Sequence, residues 1–278
     1  MAIRTYRPTS PARRGMTTRD KSEITSKRVG ARSLLTIKRS KSGRNNQGRI
    51  TVRHRGGGVK RFYRQVDHKL STDAPVTVEQ IEYDPNRSAH LALVREESGR
   101  PHYVIAAVGL KPGAKVASGS GAAIETGNRL PLSDIPVGSF VYGVEMYPGR
   151  GGQLARSAGA KAQLIAREAN WAQVRLPSGE VRKVHVSCQA HIGSVGNDQH
   201  QNVKYGSAGR RRLMGHRPSV RGKAMNPADH PMGGGEGQTG PGRIPKTPWG
   251  QVALGLKTRR RKSTAKFIIR SRHESKRR

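Results

Sequence analysis

Ala172-Gln173-Val174-Arg175-Leu176, then Pro177-Ser178-Gly179-Glu180, then Val181-Arg182-Lys183-Val184 is the stretch that decides the fold. Apolar residues at 172, 174 and 176 alternate with Gln173 and Arg175, the two-residue period of a strand that buries one face. A proline and a glycine turn the chain, and a second β-branched run returns, which predicts a hairpin. Upstream of it, apolar segments of strand length recur at 76–83, 89–94, 103–108, 139–146, 160–165 and 171–176, with another at 181–186. Turn residues separate them, among them Asp84-Pro85-Asn86, Lys111-Pro112-Gly113, Pro136-Val137-Gly138 and Pro148-Gly149. Short strands at this spacing predict small antiparallel barrels. The poorest stretch, 117–127, is rich in Gly, Ser and Ala, and the boundary between two barrels is expected there. Helix signals are weak throughout.

Charge is pushed to the two ends. Residues 1–60 hold 17 basic and 2 acidic side chains, residues 61–200 hold 16 and 13, and residues 201–278 hold 20 and 3, within a total of +35. A near-neutral middle is thus flanked by arms that repel themselves unless a polyanion neutralises them. With only 33% hydrophobic and 4% aromatic residues, the arms cannot offset their own ordering entropy, so a folded middle with partner-dependent arms is expected. The expected partner is nucleic acid. At this charge, counterion release from a phosphate backbone outweighs the reading of the basic runs as solvated faces.

Other classes are excluded or disfavoured. Cys188 is the one cysteine, so no intrachain disulfide and no cysteine-based zinc site can form, and a small buried hydrophobe on a strand is expected there. No apolar run approaches a membrane span, and no membrane partner is expected. The start Met1-Ala2-Ile3-Arg4-Thr5-Tyr6-Arg7-Pro8 lacks the apolar run of a secretory signal. Its composition faintly resembles a mitochondrial presequence, but Pro8 and Pro11 oppose an amphipathic helix and a basic RNA-binding arm has the same composition, which favours the cytosol. The ten histidines are scattered, so no metal site is expected, and nothing calls for a cofactor.

Candidate contacts follow from residue type. Arg53-His54-Arg55-Gly56-Gly57-Gly58-Val59-Lys60 combines glycines that let the backbone approach a neighbour with Arg53, Arg55 and Lys60, which suit phosphate oxygens. Arg210-Arg211-Arg212 and Lys257-Thr258-Arg259-Arg260-Arg261-Lys262 offer forked guanidinium groups for phosphates and bases. Arg217, Arg221 and Arg243 continue the pattern in the tail, as do Arg175, Arg182 and Lys183 on the hairpin. Phe62, Tyr63, Trp171, Tyr205 and Trp249 are not spaced as a stacking platform for single strands, which favours folded RNA recognised by shape and backbone. Trp249, outside any core, is expected against RNA or a neighbouring protein. His230, between Asp229 and Glu236, invites an acid–base reading. That stretch, however, has no apolar scaffold to hold a catalytic pair in place, so a contact to RNA is the stronger expectation for Asn226 and His230.

Several stretches are more specific than composition. Tyr83-Asp84-Pro85-Asn86-Arg87-Ser88, the run Gly149-Arg150-Gly151-Gly152-Gln153-Leu154-Ala155-Arg156-Ser157-Ala158-Gly159, and Val195-Gly196-Asn197 are three of them. Ala224-Met225-Asn226-Pro227 through Gly233-Gly234-Gly235-Glu236-Gly237 is another. Together they closely resemble the L-two family of large-subunit ribosomal proteins, of bacterial or organellar type, along essentially the whole chain. The resemblance implies an OB-fold barrel (61–127) followed by an SH3-like barrel (128–200), with basic extensions at 1–60 and 201–278. It implies binding to large-subunit rRNA, with Arg87 and Arg156 among the contacts, and a place near the peptidyl-transferase centre. Support for subunit association and tRNA binding is implied too, with neighbouring ribosomal proteins and the small subunit as partners, in the cytoplasmic ribosome and not as a homo-oligomer. Peptide-bond chemistry in that family belongs to the RNA. Met232 departs from the pattern, standing where a second histidine is usual, so paired histidines acting together are not expected here. A nucleic-acid packaging protein and an enzyme acting through His230 are the alternatives to be tested.

Overall fold

The computed structural model describes residues 3–26, 28–70, 72, 74–237, 240, 242 and 244–274. β1 (Ile3–Thr5) pairs antiparallel with β2 (Thr17–Arg19), and a four-residue α1 (Pro11–Arg14) lies between them. The prolines do not prevent this helix. Pro11 takes a first-turn position, where its missing N–H has no intrahelical partner to lose, and Ser10 Oγ accepts from Arg13 N at 3.3 Å. β3 (Leu35–Lys38) pairs with β4 (Arg61–Arg64).

Two larger sheets follow. β5 (Val76–Glu82), β6 (Leu91–Arg95), β7 (Pro101–Ile105) and β8 (Lys115–Val116) form a four-stranded antiparallel sheet in the order β7-β6-β5-β8. β9 (Arg129–Pro131), β10 (Phe140–Tyr142), β11 (Ala162–Glu168), β12 (Trp171–Arg175), β13 (Val181–His185) and β14 (Gln189–Ile192) belong to the second. After the short α2 (Ala208–Leu213), β15 (Ile268–Arg270) joins it too, in the order β15-β13-β12-β11-β10-β14-β9. Each sheet carries a bulge on a long strand, between Val78 and Gln80 in β5 and between Leu164 and Ala166 in β11. A bulge adds a residue on one side of the ladder and sharpens its twist, which curls the sheet. The fold is mainly β, consistent with an OB-fold barrel followed by an SH3-like barrel. The hairpin is β12–β13, in register from Trp171 opposite His185 to Arg175 opposite Val181, with Ala172 and Val174 buried.

Contacts divide the chain into two units. The first spans 1–39, 60–207 and 264–278, and the second joins 40–59 to 208–263. In the first unit, β6 is buried on both faces. Leu91 and Leu93 enter one cluster with Tyr103, Ile105, Tyr142 and Val195, while Ala92 and Val94 enter another with Val76, Val78 and Val116. Each such leucine stabilises the fold by about 1.5–3 kcal/mol. The interior of the second sheet gathers Leu130, Leu132, Val141, Leu164, Val174 and Cys188. Cys188 lies in the turn before β14, not on a strand, and burial pushes its thiol up to about 12, so it packs as an inert hydrophobe.

The segment 264–270 departs from the expectation that everything beyond 200 needs a partner to be ordered. It adds β15 to the exposed edge of β13, pairing Val181 with Arg270 and Arg182 with Ile268. Phe267 reaches Trp171, ring centroids 5.6 Å apart, and Thr264 is buried.

Candidate nucleic-acid interface

Three motifs far apart in sequence meet in the first unit. In the turn after β5, Asp84 is fully buried and accepts from Asn86 N at 2.9 Å and from Arg87 Nε at 2.7 Å, with Arg64 Nη1 at 3.7 Å. Ser88 then joins the turn to the other two motifs. Its Oγ accepts from Ala158 N at 3.1 Å and its carbonyl from Asn197 Nδ2 at 2.6 Å. Gly159 N donates to Val195 O at 3.2 Å. Asn197 holds a left-handed φ of 60°, a conformation that asparagine tolerates better than most residues.

The loop after β10 is fixed by one buried ion pair. Glu145 and Arg129 have side chains 1% exposed, with Nη2 and Oε1 2.6 Å apart. Glu145 also accepts from Gly151 N at 2.8 Å, Gly149 N at 3.2 Å and Gln189 N at 3.1 Å. A carboxylate holding four donors can stay ionised away from water. Gly152 lies so close to the Gly143 carbonyl that a Cβ there would overlap it, and its N–H donates to His68 O at 2.8 Å. Arg129 Nη1 donates to the same carbonyl at 2.9 Å.

This frame brings Arg156 to His68, Nη1 to Nε2 at 3.3 Å, with a second bond to Gly152 O at 3.3 Å. Burial, then the charges of Arg156 and Arg87, push the His68 imidazole down to about 4. At neutral pH it is uncharged, so Nε2 is an acceptor that orients Arg156 without cancelling its charge. Arg87, by contrast, is held by a carboxylate. Arg156, chosen from sequence, thus contacts a neutral histidine, and Arg87, chosen separately, lies near enough for its charge to act on the same ring.

On the hairpin, Arg175 and Lys183 are exposed and Arg182 is half-buried, with Nη1 4.0 Å from Glu180. Lys60 is exposed beside β4.

In the second unit the glycine run approaches the chain's own tail. Gly56 N donates to Gly215 O at 2.9 Å, Val59 N to Leu213 O at 3.0 Å, and Arg217 N to His54 O at 3.0 Å. A Cβ on Gly58 would stand 3.0 Å from Gly215 Cα, a backbone approach only glycine allows. Arg55 reaches His216 Nδ1 at 3.3 Å, and the Arg212 guanidinium lies over Gly57. Arg53, Arg55 and Arg217 thus lie on one pairing of extended segments, and Arg210, Arg211 and Arg212 on α2, which leads into it. Arg221 is exposed, as is Asn226, whose Oδ1 accepts from Ala228 N at 3.3 Å. Trp249 is 75% exposed, and Lys257, Arg259, Arg260 and Arg261 lie in an exposed run. Arg243 lies outside the described residues.

His230 is placed differently from its expected role. It is 8% exposed, its ring packs on Gly222, and Nδ1 accepts from Met232 N at 3.1 Å. The lone pair a general base would use is occupied by its own backbone. Met232 Sδ in turn accepts from Lys246 N at 3.2 Å, so the departure from the usual histidine is used in local packing. Among the described residues, no group of three or more His, Cys, Asp or Glu is placed to hold a metal.

The sequence reading missed His68, Arg129 and Glu145 as organisers of the interface. Arg129 and Glu145 carry no local signal, because their meaning lies in a pairing across sixteen residues. His68 was visible only as one of ten scattered histidines.

Residues 31–118 match the family model described as the RNA-binding N-terminal domain of ribosomal proteins L2, and residues 125–250 match the C-terminal domain of the same proteins. The chain is 52% identical over 279 residues, covering 100% of both chains, to the large ribosomal subunit protein uL2 of Maricaulis maris (strain MCS10). The two family models and the full-length relative agree: this chain belongs to the L2 family of ribosomal proteins, bacterial type, and is a structural constituent of the large ribosomal subunit.

Proposed function

We propose that the chain holds large-subunit rRNA at two places. One is the Arg87–His68–Arg156 cluster of the first unit. The other is the arginine-lined pairing of 53–59 with 213–217, continued by Arg221, Asn226, Trp249, Lys257 and Arg259 to Arg261. The observation that carries the reading is Arg156, oriented by a neutral imidazole and left with its full charge. That is what a phosphate contact requires. In this reading the barrels at 61–127 and 128–200 anchor the protein, and the extensions at 1–60 and 201–278 follow the RNA into the subunit, with Arg243 on that path. Support for subunit association, tRNA binding and the architecture around the peptidyl-transferase centre follows from that position, as do contacts to neighbouring ribosomal proteins and to the small subunit. The peptide-bond chemistry is carried by RNA, with His230 a structural contributor at most. The place of action is the cytoplasmic ribosome.

The test is the salt dependence of binding to a large-subunit rRNA fragment. Neutralising ~8 phosphates gives a log–log slope of roughly −7. Arg156→Gln lowers its magnitude by about 0.7–0.9, one phosphate contact. Equal affinity for rRNA and arbitrary duplex DNA at matched salt would leave a packaging protein as the better reading.

A further inference from the structure

At the β15 edge of the second sheet, residues between 146 and 267 build a cavity that no local stretch of sequence announces. It has a volume of about 210 Å³, with Tyr147, Trp171, His185 and Phe267 in its walls and Arg182 and Lys183 beside them. Clefts for drug-sized molecules begin at ~300 Å³, so this one suits a single flat ring system. Trp171 and His185 face each other across the β12–β13 ladder, ring centroids 5.7 Å apart at 82°, and Trp171 meets Phe267 at 42°. Neither pair is stacked face to face. Trp171 is 38% and Tyr147 40% exposed.

Cations surround these rings. Arg182 Cζ lies 5.9 Å and Lys266 Nζ 5.5 Å from the Phe267 centroid, and Arg150 Cζ lies 5.2 Å from that of Tyr147. None of the lining residues is acidic. Glu180 lies 4.0 Å from Arg182, while Lys183 is exposed. Phe267 enters the wall only because β15 docks on β13, so the C-terminal segment completes the cavity.

We propose that this cavity takes one unpaired nucleobase of the bound RNA, stacked on the Phe267 ring with Trp171 and His185 beside it, and with its flanking phosphates on Arg182 and Lys183. An aromatic floor inside a cationic rim offers both halves of a nucleotide what they need: a π-face for the base and counter-charge for the backbone. A protein side chain could use the floor but would leave the rim unanswered. The proposal rests on the chain's binding RNA, and it revises the sequence-based view that the sparse aromatics form no stacking platform.

The chain has two tryptophans, so a full-length Trp249→Phe variant reports from Trp171 alone. It is titrated with a short oligoadenylate and, separately, with an abasic oligomer of the same length, binding being followed by anisotropy. Both oligomers are expected to bind, and only oligoadenylate to quench Trp171. Phe267→Ala should weaken oligoadenylate binding roughly 5- to 100-fold, the worth of one base–aromatic stack, and leave the abasic oligomer unaffected. Should Phe267→Ala undock β15, Lys183→Gln serves instead, weakening both oligomers alike while quenching at saturation persists. Binding of both oligomers with equal quenching, or with none, overturns the nucleobase site while the RNA-binding reading stands. That outcome would leave a neighbouring protein as the occupant. Failure of both to bind overturns the nucleobase site, and the RNA-binding reading falls with it only where the large-subunit rRNA fragment also fails to bind.

Discussion

Replacing Glu145 by glutamine tests the frame of the interface at its most constrained point. All four groups around the carboxylate are donors: Arg129 Nη2 and Gly151 N on Oε1, Gly149 N and Gln189 N on Oε2. Whichever way the new amide is turned, its NH2 faces two N–H groups and cannot accept from them. Arg129, 1% exposed, is left as a buried cation without its counter-charge, a change that costs about 3–5 kcal/mol. Arg129→Met removes the other partner but leaves Glu145 with three backbone donors, so its cost should be smaller, about 1–3 kcal/mol. Urea unfolding followed by circular dichroism, at fixed ionic strength, gives both values. Limited proteolysis should cleave the 147–156 loop faster in Glu145→Gln, because Gly149 and Gly151 lose their shared acceptor. A loss below about 1 kcal/mol for Glu145→Gln, or a larger loss for Arg129→Met, would refute the assignment of Glu145 as the loop's anchor.

Three further outcomes follow from the same geometry. His68→Asp should give Arg156 a counter-charge and lower the rRNA salt slope by about 0.7–0.9; in a double-mutant cycle with Arg156→Gln the two losses should not add. Acid should destabilise the first unit between pH 6.5 and 4. Burial pushes both His90 and His191 down to about 4, so in that window the unfolded chain binds more protons and stability falls as pH falls, by on the order of 3 kcal/mol for each group. A thermal midpoint unchanged from pH 7 to 4.5 would contradict this. Deleting 264–278 should leave the β5–β8 sheet folded but remove Phe267 from Trp171 and shift tryptophan emission to the red in a Trp249→Phe background; unchanged emission would mean that β15 does not cover Trp171 in solution.

The parts of this fold that can be read from sequence are those written within one element. The 172–184 hairpin was legible because two residues of period and one turn specify it. β8 and β9, two and three residues long, fall below the length at which alternation can be seen. β15 was hidden because Ile268-Ile269-Arg270 sits in a basic tail, and its strand character comes from the edge of β13. The glycines at 56–58 announced a close approach, but not that Gly215 of the same chain is what they approach. Arg87 and Arg156 could be chosen from their motifs. Their meeting at His68 could not, because it depends on Ser88, Glu145 and Gly152 acting across the fold.

The arginines of the first unit separate into two kinds according to what accepts from them. Arg64, Arg87 and Arg129 are held by Glu82, Asp84 and Glu145, carboxylates at most 1% exposed. These acids supply charge as well as geometry, so the arginines they hold are partly neutralised. Arg156 is held by an imidazole that stays uncharged at neutral pH, and by a carbonyl. These acceptors set its direction and leave its charge to a phosphate. In the arms, where 37 basic residues meet 5 acidic ones, neither kind of acceptor suffices and the polyanion itself must supply the counter-charge. The near-neutral middle is thus a consequence of using carboxylates as internal fasteners. It does not mark that region as indifferent to RNA, because Arg156 there is oriented by acceptors that leave its charge uncompensated.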